Sequence, residues 1–332
     1  MLKTGEKLGA FIVPTGIGAS IGGYAGDASV WAREFAKHSK LIVNPNVVNA
    51  GGFSGITDNM LYVEGYTLDS FFKGEINLKE SQNNKIGVVF DKNIPKDVLN
   101  VHINTINAVK TVYGTDVAGY EVTDDEVGVE FFMTQNNIST GNVKNIETLK
   151  SATQRLIDKY NVNAIALVCL FEDSDALNEN YCNGTGTDPV GGVEAVLSHY
   201  ISKEFKLPCA HSPAFEDYSI HSDLVNPKSA SEYITPTFLP CILLGLANAP
   251  HIGGNINIAN VDYLVMPYNA LGSTPVFEAL KQNIPIFAVK ENSTTLDVTN
   301  DNLHKSNKII IAKSYKECLN MIKDITKLAN MK

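Results

Sequence analysis

Residues 13–27 read V-P-T-G-I-G-A-S-I-G-G-Y-A-G-D, with five glycines directly behind an apolar run that begins at Phe11. The apolar run predicts the end of a strand over residues 11–13, and residues 27–37 predict a helix. Glycines in such a loop let backbone N–H groups turn toward a ligand, and the positive end of the following helix favours an anion. The stretch therefore predicts a strand, a loop that holds a phosphate or carboxylate, and a helix.

The alternation of strand and helix continues along the rest of the chain. Short β-branched runs predict strands over 11–13, 40–43, 86–90, 163–170, 262–266, 284–289 and 308–311, and helical patterns cover 95–113, 146–160, 190–204, 275–282 and 315–328. Strands that alternate with helices form mostly parallel sheets covered by helices. We expect an α/β fold, built as two Rossmann-like lobes with a cleft between them.

Two lobes require a division of the chain. The polar stretch E-S-Q-N-N-K ends at Lys85, and the strand predicted to end at residue 170 is followed by a polar, acidic segment. We expect residues 85–175 to form a second α/β domain with an exposed loop at 134–145. Residues 1–84 and 176–332 would form the main α/β domain with the glycine-rich loop.

Composition excludes several classes of function. The chain has 332 residues, 44% of them hydrophobic and 19% charged, with a net charge of −9 and five scattered cysteines. No run approaches the length of a membrane span, and no basic stripe suits nucleic acid. The first residues lack the pattern of a targeting segment, so we expect a cytoplasmic protein with reduced thiols. The expected partner is a small anionic molecule; a homo-oligomer is compatible with the composition.

The glycine-rich loop departs from the dinucleotide-binding fingerprint. Gly16, Gly18 and Gly22 are spaced G-x-G-x-x-x-G, one residue longer than the fingerprint. The next predicted strand ends on N-P-N at residues 44–46, where such folds place an acidic residue for the ribose. We therefore predict no organic cofactor. A divalent metal at His211, Glu216, Asp217, His221 and Asp223 is left open, although their spacing matches no known zinc site.

The candidate ligand-binding residues lie in the glycine-rich loop and in loops expected at the carboxyl ends of strands, where open α/β sheets bind ligands. An N-cap role for Asp188 and Ser273, and solvated loop charges near residue 291, are the structural alternatives. The candidates are Thr15, Gly16, Gly18, Gly22, Gly23, Asp27, Asn46, Glu64, Asp188, Ser273, Glu291, Asn292 and Thr294.

Residues 184–199 read G-T-G-T-D-P-V-G-G-V-E-A-V-L-S-H and contain two catalytic candidates. The D-P pair at Asp188 predicts a helix start. On that helix Glu194 and Ser198 share a face, and His199 lies about 100° further round. Small and apolar residues surround Glu194 in the sequence, so its charge indicates either an oppositely charged or hydrogen-bonded partner or a functional role. Glu194 and His199 are therefore candidates for proton transfer.

Cys209 and His211 form a third candidate group, in the stretch L-P-C-A-H. Residues two apart on a strand point to the same face, so both side chains can line one cleft if the segment is extended. A nearby imidazole favours a thiolate. The alternative is a buried thiol beside a hydrogen-bonded histidine.

The chain resembles the domain of unknown function 3326 family, which occurs in cyanobacteria, plastid-bearing plants and other bacteria. The resemblance spans nearly the whole length. It is carried by the stretch at 13–27, N-P-N-V at 44–47, Y-V-E-G-Y at 62–66, the D-P, E-A and S-H pairs between 188 and 199, P-C-A-H at 208–211, T-F-L-P-C at 237–241 and E-N-S-T at 291–294. It implies no particular activity.

These patterns lead to three hypotheses about function. The first is a cytosolic lyase or isomerase that acts on a small anionic metabolite, such as an amino acid or a phosphorylated acid, by acid–base chemistry. The second is a cofactor-independent racemase or isomerase with two thiols, Cys209 and Cys241, because residues 85–170 are similar in layout to the aspartate/glutamate racemase and maleate isomerase superfamily. The third is a protein that binds a metabolite without catalysis.

Overall fold

The computed structural model describes residues 6–23, 26–171, 183, 186–218, 220 and 222–329, with side chains described as far as residue 324. Within these ranges the elements follow one another as β1 Leu8–Phe11, α1 Ser29–Ala36, β2 Lys40–Val43, α2 Pro45–Val48, β3 Asn49–Ala50, β4 Phe53–Ser54, β5 Met60–Tyr62, α3 Gly65–Phe72, β6 Leu78–Lys79, β7 Ile86–Phe90, α4 Lys96–Tyr113, β8 Val117–Val122, β9 Val129–Met133, β10 Ser139–Val143, α5 Ile146–Tyr160, β11 Ala164–Leu170, α6 Gly191–Phe205, β12 Cys209–Ala214, α7 Ala230–Tyr233, α8 Leu239–Ala247, β13 His251–Ile252, β14 Val261–Pro267, α9 Thr274–Lys281, β15 Ile286–Val289, β16 Ile309–Ala312 and α10 Tyr315–Ala329.

Two parallel sheets flanked by helices make this an α/β protein, as the sequence predicts. The larger sheet has the order β16-β15-β14-β1-β2-β5 and the smaller one the order β12-β11-β7-β8, and all their pairings are parallel. In the larger sheet the chain order reverses between the neighbours β1 and β14. Loops that leave such neighbours diverge, which opens a crevice at the carboxyl ends of the strands. The glycine-rich loop follows β1 and begins at this crevice.

The position where β1 ends has a specific cause. The strand stops at Phe11, earlier than the sequence pattern predicts, although the Ile12 amide still donates to Val265 O at 3.0 Å. Beyond Phe11, the Asn44 side chain makes the hydrogen bonds to the backbone that a neighbouring strand would otherwise make. Its Oδ1 accepts from Val13 N at 3.0 Å and its Nδ2 donates to Val13 O at 2.8 Å. Asn44 thereby fixes the chain where the glycine-rich loop begins.

The two sheets share one hydrophobic core. Helix α8 lies between them, and a continuous cluster joins Phe11 and Leu41 of the larger sheet, Leu243 of α8, and Val88 and Ala166 of the smaller sheet. Strand β12 lies past residue 175 in the sequence and pairs with β11 in the smaller sheet. The division into domains at residues 84 and 175 stays a prediction. Among the described residues, no helix combines the length and apolarity needed to cross a membrane.

One local prediction is wrong. Residues 139–143 form β10, which pairs antiparallel with β9, whereas the sequence favours an exposed loop from 134 to 145. The strand reads S-T-G-N-V and its pattern is too polar to stand out. The loop is confined to the turn between the two strands. This hairpin packs against α6, next to the glycine-rich loop.

Candidate functional site

The glycine-rich loop contains a run of backbone amides without hydrogen-bond acceptors among the described residues. Gly16 and Gly18 have φ values of 74° and 56°, so a residue in the left-handed region lies on each side of Ile17. The amides of residues 16–19 donate to no acceptor among the described residues, although these residues are buried or half-buried. Successive N–H groups in alternating left- and right-handed backbone form a concave anion site called a nest. We call residues 16–19 the amide nest.

The amide nest packs against the start of helix α6. A Cβ added to Gly16 would lie 3.5 Å from the Cα of Gly192, and one added to Gly191 would lie 3.0 Å from Cγ2 of Thr15. A Cβ on Gly18 would lie 2.6 Å from Oγ1 of Thr187. The structure therefore brings together the two glycine-rich stretches that the sequence analysis treats separately.

Ser139 connects the amide nest to α6, and the sequence analysis does not identify it. Its amide donates to Gly16 O at 2.9 Å and its hydroxyl donates to Pro189 O at 2.7 Å. The same hydroxyl accepts from Gly192 N at 3.1 Å. Ser139 begins β10, in the segment with the weak strand pattern, so no sequence signal marks it. It holds the nest and the first turn of α6 in one arrangement.

Asn292 anchors the loop on its other side. Its Oδ1 accepts from Ile21 N at 3.0 Å, and its Nδ2 donates to Ile21 O and to the Tyr315 hydroxyl, each at 2.7 Å. Ser20 N adds a bond to Ser293 O at 2.7 Å. Because its polar atoms already bond to the chain, Asn292 positions the loop rather than facing a ligand.

The far end of the loop is held by Asp27. Its carboxylate accepts from Gly22 N, and Lys228 Nζ lies 3.8 Å from Oδ2. Burial raises the pKa of Asp27, against the opposing effects of the Gly22 amide and Lys228. Gly23 is required for packing, because a Cβ there would lie 2.1 Å from Ala19 O. These residues shape the loop and lie outside the amide nest.

Several other predicted ligand-binding residues complete local structure. Asn46 Nδ2 donates to Pro14 O at 3.3 Å. Asp188 Oδ1 accepts from Val190 N at 3.0 Å before α6, in keeping with a helix-start role. Glu291 Oε1 accepts from Tyr315 N, and the Thr294 hydroxyl donates to Asn269 Oδ1 at 3.1 Å. Ser273 precedes α9, and its Oγ is buried without a partner among the described residues.

One face of α6 carries polar side chains into the interior. Glu194, Ser198 and Ser202 are buried at helical spacing, with exposed fractions of 6%, 1% and 0%. His211, from β12, places Nδ1 at 2.9 Å from Ser198 Oγ. Cys209 packs among α6 residues on the same side of β12, as the spacing predicts. The structure thus brings His211 to the face of α6 that carries Glu194, and it places Cys209 in the apolar cluster beside that helix.

Glu64 and His199 meet beside this face. Glu64 precedes α3, where its carboxylate accepts from Tyr66 N at 2.7 Å and Thr67 N at 2.8 Å. His199 Nε2 lies 4.0 Å from Glu64 Oε2. Burial raises the pKa of Glu64 to about 7, although hydrogen bonds from Thr67 and Tyr66 and the nearby Ser202 hydroxyl oppose the shift. A carboxyl with this pKa can both accept and release a proton near neutral pH.

The raised pKa of Glu64 predicts a pH-dependent stability. The ordinary pKa of Glu64 is 4.5. Between pH 4.5 and about 7, Glu64 is protonated in the folded protein and ionised in the unfolded chain. Its contribution to stability is complete below pH 4.5 and is lost as the pH rises through 7. We expect the unfolding free energy of the wild type, relative to Glu64→Gln, to fall by about 3 kcal/mol between pH 4.5 and 7.5. Urea titrations of both proteins measure this difference.

The matched control for this experiment is Glu204→Gln, on the exposed end of α6. Glu204 pairs with Lys150, and both side chains are substantially exposed. We expect its difference from the wild type to stay nearly constant over the same pH range. A constant difference between the wild type and Glu64→Gln would contradict a raised pKa at Glu64.

Both histidines of the site have pKa values below the ordinary value. Burial lowers the pKa of His211 to about 3, with a further contribution from His199, and it lowers the pKa of His199. His199 is the more accessible, with 43% of its side chain exposed. A neutral imidazole can donate from one ring nitrogen and accept at the other. The His211–Ser198 pair can therefore orient a polar group without adding charge.

The cysteines have environments that disfavour thiolates. Burial raises the pKa of Cys209 well above its ordinary value, and it raises that of Cys241 to about 12. Cys169, on β11, is buried in the same way. Cys182 lies outside the described residues. An uncharged thiol is a weak nucleophile and a poor base for carbon acids.

The structure offers no ligand set for a metal within the residues it describes. No group of three or more His, Cys, Asp or Glu side chains there is arranged to hold an ion. His221, a member of the group considered from the sequence, lies outside the described residues. A separate cavity of about 210 Å³ is lined by Asp58, Asp116 and the ends of α4 and α8. It contains none of the predicted catalytic residues, so we place the candidate site at the amide nest and α6.

Comparison with known proteins identifies the family. Residues 9–331 match the family described as a protein of unknown function, DUF3326. The chain belongs to this family. An uncharacterized lipoprotein of Synechococcus sp. is 37% identical over 297 residues, which cover 86% of this chain and 82% of the relative. No solved structure matches the chain. The family resemblance expected from the sequence is therefore confirmed.

Proposed function

We propose that this DUF3326 protein is an enzyme that binds a small metabolite carboxylate at the amide nest and moves protons at another carbon of the same molecule, as a lyase or an isomerase. The observation that carries the proposal is the run of amides at residues 16–19 that have no acceptor among the described residues. Amides in this arrangement bind carboxylate or phosphate. The doubly wound order of the larger sheet supports a Rossmann-like main lobe with its ligand at the same crevice.

Glu64 and His199 are the proposed proton-transfer pair. Glu64 has a pKa near the operating pH, which is the condition for efficient general acid–base catalysis. His199 lies beside it and is the more exposed of the two. The nest lies against the first turn of α6, and His199 follows Gly192 by seven residues, or roughly 10 Å along the helix, so the exchanging carbon would lie on the part of the substrate that extends along α6. His211 and Ser198 are the proposed orienting pair.

Ligand binding is the first measurement that tests the proposal. A thermal-shift screen compares carboxylates, amino acids, phosphorylated acids, nucleotides and divalent metals. A ligand at 100 times its Kd adds about 2.7 kcal/mol to the stability of the folded state. We expect the hits to be small carboxylates. Hits restricted to nucleotides would contradict the proposed substrate class.

Proton exchange at carbon is the second measurement. The protein is incubated in D2O with each carboxylate that binds, and proton NMR follows deuterium incorporation at every carbon-bound hydrogen of the ligand. We expect incorporation with the wild type and a rate at least about 10²-fold lower with His199→Gln, with Glu204→Gln as control. Tight binding without exchange or conversion would favour the third hypothesis, a metabolite-binding protein.

A cytosolic location remains part of the proposal. The relative from Synechococcus is named a lipoprotein, which instead suggests an envelope location for this family. The two locations are separated by fractionation of cells that produce the full chain, with immunoblotting of the cytosolic and membrane fractions. Recovery in the membrane fraction after a salt wash would overturn the cytosolic location without affecting the proposed chemistry.

A further inference from the structure

Glu194 is a buried carboxyl with an unused acceptor. Only 6% of the residue is exposed, and Oε1 has no hydrogen-bond partner among the described residues. An acceptor buried without a partner costs free energy, and an ionised one costs much more. No packing requirement explains a carboxyl here, since an apolar side chain of similar volume is often no less stable at such a position. The position therefore suggests a binding partner absent from the free protein.

The surroundings of Glu194 call for a cation. The acidic groups that interact with it electrostatically are Asp188, before α6, and Glu232, on α7. Burial raises the pKa of Glu194, and these two carboxylates raise it further. Cys241, on α8, interacts with Glu232 and Glu194 as well. Acidic groups that converge on a buried acceptor attract a positive group and repel a negative one.

Glu194 lies within one helical turn of the residues that pack against the amide nest. Gly191 and Gly192, in the first turn of α6, pack against Thr15 and Gly16. Glu194 is two to three residues further along the helix, or roughly 3 to 5 Å. Side chains on a helix lean toward its N-terminus, which directs the carboxyl of Glu194 back toward the nest. The carboxylate and ammonium of an α-amino acid lie within roughly 3 Å of each other, so one ligand can reach both.

We infer that Glu194, with Asp188 nearby, receives the ammonium group of the substrate, and that the substrate is an amino acid or a closely related amine-bearing acid. The inference rests on the proposed function, because the amide nest must hold the carboxylate of the same molecule. It assigns Glu194 to substrate recognition. Proton transfer at carbon is then left to Glu64 and His199, further along α6.

The test uses matched ligand pairs. Each common α-amino acid is compared with the α-hydroxy acid that has the same side chain, by thermal shift and then by calorimetry at pH 7.5. For the wild type we expect the amino acid to bind at least about tenfold more tightly than its partner. Glu194→Gln should weaken amino-acid binding by about 10- to 100-fold and leave hydroxy-acid binding within about threefold. Glu204→Gln, on the same helix, is the matched control.

Proton release gives a second readout. A bound ammonium requires Glu194 to ionise, so binding releases a proton from the wild type, and Glu194→Gln removes that release. Calorimetry in two buffers of different ionisation enthalpy measures it. Loss of a buried carboxyl whose Oε1 has no hydrogen-bond partner in the part of the chain that the structure describes is compatible with folding; if Glu194→Gln nevertheless unfolds, Glu194→Met serves in its place.

The outcomes separate the inference from the proposed function. Equal affinity for both members of every pair, or an amine preference that survives in Glu194→Gln, would overturn the ammonium site and leave the carboxylate enzyme standing. Loss of proton exchange with unchanged amino-acid affinity would overturn it too, because Glu194 would then be an acid–base group. Absence of binding by either member of every pair would overturn both proposals.

Discussion

Replacement of Gly192 with alanine is expected to lower the unfolding free energy by more than about 3 kcal/mol. A Cβ at this position would lie 2.0 Å from Ser139 O and 2.3 Å from Ser139 C. These are backbone atoms of β10, and they cannot move aside as the end of a side chain can. The hairpin would have to separate from α6. Guanidinium unfolding followed by circular dichroism measures the loss.

The neighbouring glycine provides the control. A Cβ on Gly191 would meet the ends of two side chains, Asp188 Oδ2 at 2.8 Å and Thr15 Cγ2 at 3.0 Å. Both can shift by rotation, so we expect Gly191→Ala to cost no more than about 1 kcal/mol. Similar losses in the two variants would show that the close approach of α6 to β10 is not what requires glycine at Gly192.

The same contact explains why two glycine-rich stretches occur far apart in the sequence. Gly16 and Gly192 lie at one junction, where backbone meets backbone and Ser139 bonds to both sides. The sequence marks each stretch as unusual but does not pair them. The partner of a glycine is set by tertiary packing, which leaves no local pattern.

The regular elements could be predicted because their patterns are local. Helix α5 has the predicted bounds, 146–160, and β2 has the predicted bounds, 40–43. Both have strong patterns, an amphipathic helix in the first case and a short β-branched run in the second. Strands β8, β9 and β10 are mostly half-exposed or exposed, so they lack the continuous apolar run of a buried strand, and β10, S-T-G-N-V, is also rich in polar residues.

The sequence predicts which residues belong to the site, but it predicts the roles of only some of them. Glu64 was predicted to bind ligand from its motif, whereas its raised pKa depends on burial against α6, far along the chain. Asn44 occupies a position where dinucleotide-binding folds have an acidic residue. In the structure its side-chain amide hydrogen-bonds to the backbone N and O of Val13. Asn292 was predicted to contact ligand and instead anchors the loop through Ile21. Such roles depend on side chains from other elements.

Glu64→Gln and His199→Gln are each expected to lower the rate of proton exchange at the substrate carbon by 10² or more, roughly the range for general acid–base groups. Neither residue is proposed to bind the carboxylate, so the Kd should stay within about tenfold. Because the two side chains lie 4.0 Å apart and are proposed to act together, the double variant should be at most about tenfold slower than the slower single variant. Deuterium incorporation in D2O measures all four rates.

The pH profile distinguishes a proton-transfer role from a structural one. Burial raises the pKa of Glu64 to about 7, so the exchange rate of the wild type should change its pH dependence near pH 7. Glu64→Gln should remove that change, whereas His199→Gln should keep it at a lower rate, since Glu64 still titrates. A structural defect would scale the whole profile without altering its shape. Losses that multiply in the double variant would mean that Glu64 and His199 act in separate steps, and the proposed pair would then have to be abandoned.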